Sequence, residues 1–144
     1  CFFFPFLFFS FFLRPWDPVD PVYVGSDNPA CLGPAGTVHA NIGDMVKYLK
    51  VFLAHGNPLL KNSTIDEIIT PRIDGYALGW IIIAPQGSSR KFATHNGSNN
   101  MFFCTIVMEI AKGDAVVVMS NRGDTRASYR AAEIREYLWG HFLI

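Results

Sequence analysis

The stretch YALGWIIIAPQGSSRKFATHNGSNNMFFCTIVMEIAKGDAVVVMS, residues 76–120, decides the fold. It reads as four strands, Tyr76 to Ala84, Lys91 to His95, Phe102 to Ile110 and Ala115 to Ser120, each rich in β-branched and aromatic residues. Between them stand glycine, proline and asparagine, which release a chain from strand pairing. Connections this short join antiparallel neighbours, so the expectation is an antiparallel meander.

Working outward, Asn41 stands where a helix N-cap belongs, Asp44 follows in the first turn, and Ile42, Met45, Leu49 and Phe52 recur at spacings of three and four. This predicts an amphipathic helix ending near His55-Gly56. A shorter helix is expected from Ser63 to Ile69, with Ile65, Ile68 and Ile69 inward and Pro71 beyond its end. After the meander, a last helix from Thr125 to Phe142 places Ala127, Ala131, Ile134, Leu138 and Phe142 on one stripe. Helices, a short-looped sheet and a closing helix predict the α+β class, an antiparallel sheet packed with helices.

The start of the chain differs. Residues 1–13 are almost all phenylalanine and leucine, broken by Pro5 and Ser10. The run is shorter than the ~20 apolar residues of a membrane-spanning helix. It has no basic segment before it and no small-residue cleavage site after it. Three readings stay open: a low-complexity start, a signal or anchor remnant, and a buried strand. The second would imply an exported or periplasmic protein. Residues 14–33, with prolines at 15, 18, 21 and 29, read as an extended linker, and residues 34–144 as the folded portion.

Lysine plus arginine and aspartate plus glutamate both number 12, so no net field favours nucleic acid or an acidic membrane surface. Three cysteines, Cys1, Cys31 and Cys104, form neither an even set nor a C-x-x-C pair, and no histidine has metal-ligand spacing. No metal or other cofactor is expected.

Chemistry is suggested by His95-Asn96-Gly97-Ser98-Asn99-Asn100. As pattern alone it is a tight turn, since asparagine and glycine tolerate positive φ. Read functionally, a histidine at a strand end followed by exposed backbone N–H groups can bind a carboxylate or a developing oxyanion. Four segments in order then carry a resemblance: Pro34-Ala35-Gly36-Thr37-Val38-His39 leading into Asp44-Met45, Tyr76-Ala77-Leu78-Gly79-Trp80, His95-Asn96-Gly97, and the apolar run Ala115 to Asn121. Together they resemble the C-terminal portion of the serine β-lactamase-related, penicillin-binding-protein-like hydrolases, whose third active-site motif is lysine-threonine-glycine or histidine-x-glycine.

The resemblance implies part of a β-lactamase/transpeptidase-like fold and a parent enzyme that hydrolyses amide or ester bonds through an acylated serine. Its partners would be a small-molecule or peptide substrate and the N-terminal half of the domain. It assigns His95 to binding a substrate carboxylate or supporting proton transfer, with Asn96 beside it. Gly97 would allow close substrate approach, and the Ser98 N–H would serve as an oxyanion donor.

The family's nucleophile motif, S-x-x-K, places a lysine one helical turn from the serine. Ser88-Ser89-Arg90-Lys91 has its letters but follows Pro85 and Gly87, and Ser26-Asp27-Asn28 spells the second motif from within the proline-rich stretch; both are read as coincidences. Without the nucleophile the chain is expected to be inactive alone. The alternatives are a non-catalytic carboxylate- or peptide-binding module of the same fold, and a structural segment anchored by the phenylalanine run. His39, His55 and His141 are expected to be structural, as are Asp66 and Glu67, which point in different directions on a short helix.

Overall fold

The computed structural model describes residues 20, 22, 23, 25, 27–53 and 59–142. The phenylalanine-rich start, Ser26 and the helix end at His55-Gly56 lie outside these residues.

The described chain opens with a 3-10 turn, Ala30–Leu32, and one α-helical turn, α1, Gly33–Gly36. Pro34 fits at the start of α1 because the N–H it lacks would have no intrahelical partner there. Helix α2, Ile42–Leu53, begins as the sequence predicts. The Asp44 N–H donates to Asn41 Oδ1 at 3.0 Å and Asn41 Nδ2 donates to Asp44 Oδ2 at 2.8 Å, a reciprocal cap. Met45, Leu49 and Phe52 are buried, while Ile42, expected on the same stripe, is 53% exposed in the overhanging first turn. Helix α3, Asn62–Ile69, buries Ile65.

Tyr76 to Trp80, expected as the start of a strand, forms two successive turns instead. Asp74 and Gly75 take φ of 46° and 80°, so the chain reverses and Tyr76 bridges both Ile73 and Ile81. Gly79 at φ 84° then lets the Ala77 N–H donate to Trp80 O at 2.7 Å. The first strand, β1, is therefore only Ile81–Ile83.

Strands β2 (Phe92–Ser98), β3 (Phe103–Glu109) and β4 (Asp114–Ser120) follow, and all four form an antiparallel sheet in the order β1-β2-β3-β4. The antiparallel meander is observed, and the described fold is α+β. Alternation along the strands sorts the side chains onto two faces. Ala93, His95, Cys104, Ile106 and Met108 share one face, on which Met45, Leu49 and Phe52 of α2, Ile65 of α3 and Trp80 complete the core. Trp80 is 1% exposed and meets the Phe52 ring edge-on at 5.4 Å.

Helix α4, Thr125–Phe142, covers the other face. Asp124 starts it, its Oδ1 accepting the Ala127 N–H at 2.7 Å. The stripe expected to point inward does so only in part. Ala131 is buried, but Ile134 is 50% and Phe142 73% exposed. The side chains that reach the sheet include Arg135, whose Nη1 donates to Thr105 Oγ1 at 2.7 Å, and Trp139, edge-on to Phe92 at 5.5 Å.

Candidate functional site

Strand β2 places the predicted site residues. Its register against β3 pairs His95 with Ile106, Asn96 with Thr105, Gly97 with Cys104 and Ser98 with Phe103. His95 thus lies within the strand, correcting the expectation that the strand stops there: the turn residues after it remain extended because β3 supplies ladder partners as far as Phe103. In an antiparallel ladder, alternate residues exchange hydrogen bonds with one neighbour and the intervening ones point to the other side. One of Gly97 and Ser98 therefore bonds β3, and the expectation that both N–H groups stay out of the ladder is corrected. On the opposite side β1 pairs only with Phe92, Ala93 and Thr94, so among the described residues no strand lies along Asn96 to Ser98 there.

The strand period also separates two residues expected to act together. His95 points to the buried core face with 6% exposure, while Asn96 is exposed on the opposite face. His95 Nε2 stands 3.3 Å from the Tyr76 hydroxyl, and the two rings meet edge-on at 6.3 Å. Burial pushes the His95 pKa below its ordinary 6.5 against a smaller raising effect from a backbone hydrogen bond of Asn96, so the ring is held neutral at pH 7.

Past Gly97 the side chains build a turn. Ser98 Oγ donates to Phe102 O at 3.0 Å and accepts the Asn100 N–H at 3.0 Å. Asn99 Oδ1 accepts the N–H groups of Met101 at 3.2 Å and Phe102 at 2.8 Å, and Asn100 takes φ 69°. The Ser98 hydroxyl is thus occupied by structure. Gly123 lies against this turn so closely that an added Cβ would stand 2.4 Å from the Asn100 carbonyl carbon, so only glycine lets the segment before α4 pack there.

Near the end of β2 lies a second polar cluster. His39 Nε2 meets Asp27 Oδ2 at 3.0 Å, and the His39 ring stands edge-on to Phe102 at 6.4 Å. Burial pushes the Asp27 carboxyl up, but hydrogen bonds from His39 and the Asn28 N–H outweigh it and leave the group below its ordinary 3.8. A cavity of about 270 Å³ beside it is lined by His39, Phe102, Cys104, Ser120 and Asn121, among others. His95, Asn96, Gly97 and Ser98 do not line it.

The lookalike motifs have other uses. Ser88 lies in a turn, with its Oγ accepting the Arg90 N–H at 3.1 Å, so Lys91 is not one helical turn from it. Asn28 Nδ2 donates to Gly36 O at 3.0 Å, tying the Asp27-Asn28 pair to the Pro-Ala-Gly segment. His141 Nδ1 stands 2.9 Å from Tyr137 O, at the end of α4. Glu67 pairs with Arg72 at 3.2 Å. Among the described residues no group of three or more His, Cys, Asp and Glu side chains could hold a metal, and no helix is long and apolar enough to cross a membrane.

Sequence reasoning missed Tyr76 as the partner of His95 and Asp27 as the partner of His39. The first had a signal, the tyrosine of Tyr76-Ala77-Leu78-Gly79-Trp80, but its meeting with His95 required the two turns that replace the expected strand. No protein-family model matches the chain, and neither does any curated protein.

Proposed function

We propose that this chain is the C-terminal part of a β-lactamase-related serine hydrolase, the third-motif side of an active site whose nucleophile lies elsewhere in the parent protein. The observation that carries the reading is the Tyr76–His95 contact at 3.3 Å, which joins two of the four segments on which the resemblance rests. In this reading Tyr76 orients a neutral imidazole, and the outer side of β2 past Thr94 presents a backbone N–H and C=O to an extended substrate. Asn96, on the other face, is set aside as a substrate contact of the same pocket. The fold would be part of a β-lactamase/transpeptidase-like domain, with a small-molecule or peptide substrate.

The chain alone has no S-x-x-K pair in a described helix and is expected to turn over neither penicillin nor simple esters. The decisive experiment is to obtain the coding sequence upstream of Cys1 and label the longer protein with a fluorophosphonate or penicillin probe. An S-x-x-K helix, covalent labelling at its serine, and slower acylation in a His95→Ala variant that still folds at the assay temperature are expected. A longer protein without that motif and without labelling would replace this reading with the non-catalytic binding module. Labelling of the present chain at Ser88 would overturn it.

A further inference from the structure

Tyr76 and His95 share a hydrogen bond whose direction the backbone fixes. The His95 ring meets the Tyr76 hydroxyl, 3.3 Å from Nε2, and the Asn96 backbone. The Asn96 bond raises the His95 pKa, as donation from a ring N–H to a carbonyl does; a backbone N–H donating to the ring would lower it. Nδ1, bonded to Cγ, is the ring nitrogen within reach of the neighbouring main chain, and a neutral imidazole carries one N–H. Nε2 is therefore the acceptor, and the Tyr76 hydroxyl donates to it.

A hydroxyl whose proton is held by a neutral imidazole, itself oriented by a third group, is the arrangement that activates a side-chain oxygen for attack on an electrophile. Such bonds stand somewhat long before a substrate is bound. Burial divides the roles. His95 is buried, so water does not compete for its lone pair, while Tyr76, 40% exposed, is the member of the pair that solutes reach. Tyr76 is also held in place, bridging Ile73 and Ile81 just after two residues of positive φ. Tyr137 lies beside a histidine too, but it meets His141 by ring stacking and through its own backbone carbonyl. Its hydroxyl gains no base.

We propose that Tyr76 is a base-activated nucleophile that takes an acyl group from an activated ester, with His95 as its base and the Asn96 carbonyl orienting that base. A bond forms between Tyr76 Oη and the acyl carbon while the phenol proton passes to His95 Nε2. The bond to the alkoxide or phenoxide leaving group then breaks, and Nε2 gives the proton to that group. The product is an acyl-tyrosine, formed once per chain without turnover. No serine takes part, so the proposal stands apart from the hydrolase reading.

The test is to treat the full chain with p-nitrophenyl acetate near neutral pH and to follow each of its five tyrosines by peptide mass spectrometry. Exposure alone ranks Tyr129, at 69%, and Tyr137, at 58%, ahead of Tyr76. Activation reverses that order: Tyr76 should be acetylated about tenfold faster than either, below the full reach of a positioned base. In His95→Gln, checked by circular dichroism for native folding, Tyr76 should fall behind Tyr129. Long-range proton–nitrogen NMR of the unsubstituted chain, which needs no variant to fold, should find the His95 proton on Nδ1. Tyr76 no faster than Tyr129, an unchanged rate in folded His95→Gln, or a proton on Nε2 would each overturn the proposal. An upstream sequence without S-x-x-K would overturn the hydrolase reading alone.

Discussion

The two faces of the sheet are built from different chemistry. The face against α2, α3 and Trp80 is a conventional apolar core, with Trp80, Met108 and Ile106 at 1%, 0% and 3% exposure. The face against α4 is held by polar and mixed contacts: Arg135 on Thr105, Arg90 in a two-pronged pair with the Glu109 carboxylate, and Trp139 on Phe92. It leaves a groove between α4 and β4. The difference shows that closure of the first face rests on area removed from water, which tolerates little loss of volume. Closure of the second depends on a few directed bonds.

The largest expected effect breaks the first face. Trp80→Ala should destabilise by about 3–5 kcal/mol in urea unfolding, because a fully buried indole packed on Phe52 leaves a cavity the sheet cannot close. A loss under about 1 kcal/mol would mean that this face is not the cooperative core. On the second face, Arg135→Ala should cost about 1–3 kcal/mol, most of it from the unsatisfied hydroxyl of Thr105, which is 1% exposed. The double variant Arg135→Ala with Thr105→Val should recover part of that loss, and additive losses would show that the bond carries nothing.

A smaller effect appears as a slope. Because burial lowers the His95 pKa, the unfolded chain takes up its proton more readily, so this contribution to stability is intact above the ordinary 6.5 and is lost as pH falls toward the lower folded value. His95→Gln should flatten the fall in unfolding midpoint as acidification begins below pH 6.5, and an unchanged slope would remove His95 from that role. Glu109, held down first by its hydrogen bond to Arg90, loses its contribution only as pH falls from its ordinary 4.5 to the depressed value, so the two slopes are separable. The smallest effect is at Phe142, expected from periodicity to be core. At 73% exposure, Phe142→Ser should change stability by no more than about 0.5 kcal/mol.

Sequence periodicity by itself determined the meander, the start of α2, the α4 span, the Asn41 cap and the core residues Met45, Leu49 and Phe52, because each depends on near neighbours in the chain: a side-chain cap, a 3.6-residue stripe, or a run of β-branched residues. The candidate residues His95, Gly97 and Ser98 were also legible, as letters in a run. Their arrangement was not. That His95 lies inside β2 depends on how far β3 continues the ladder, and its contact with Tyr76 depends on two positive-φ turns that fold an expected strand back. The helix stripe failed at Ile134 and Phe142 because period alone says which residues share a side of α4, whereas its crossing over the sheet decides how much of that side is covered. Only the tertiary structure could pair Asp27 with His39, bring Gly123 against Asn100 and set Tyr76 against His95, since each depends on segments apart in the chain and no local rule of φ, period or composition encodes that distance.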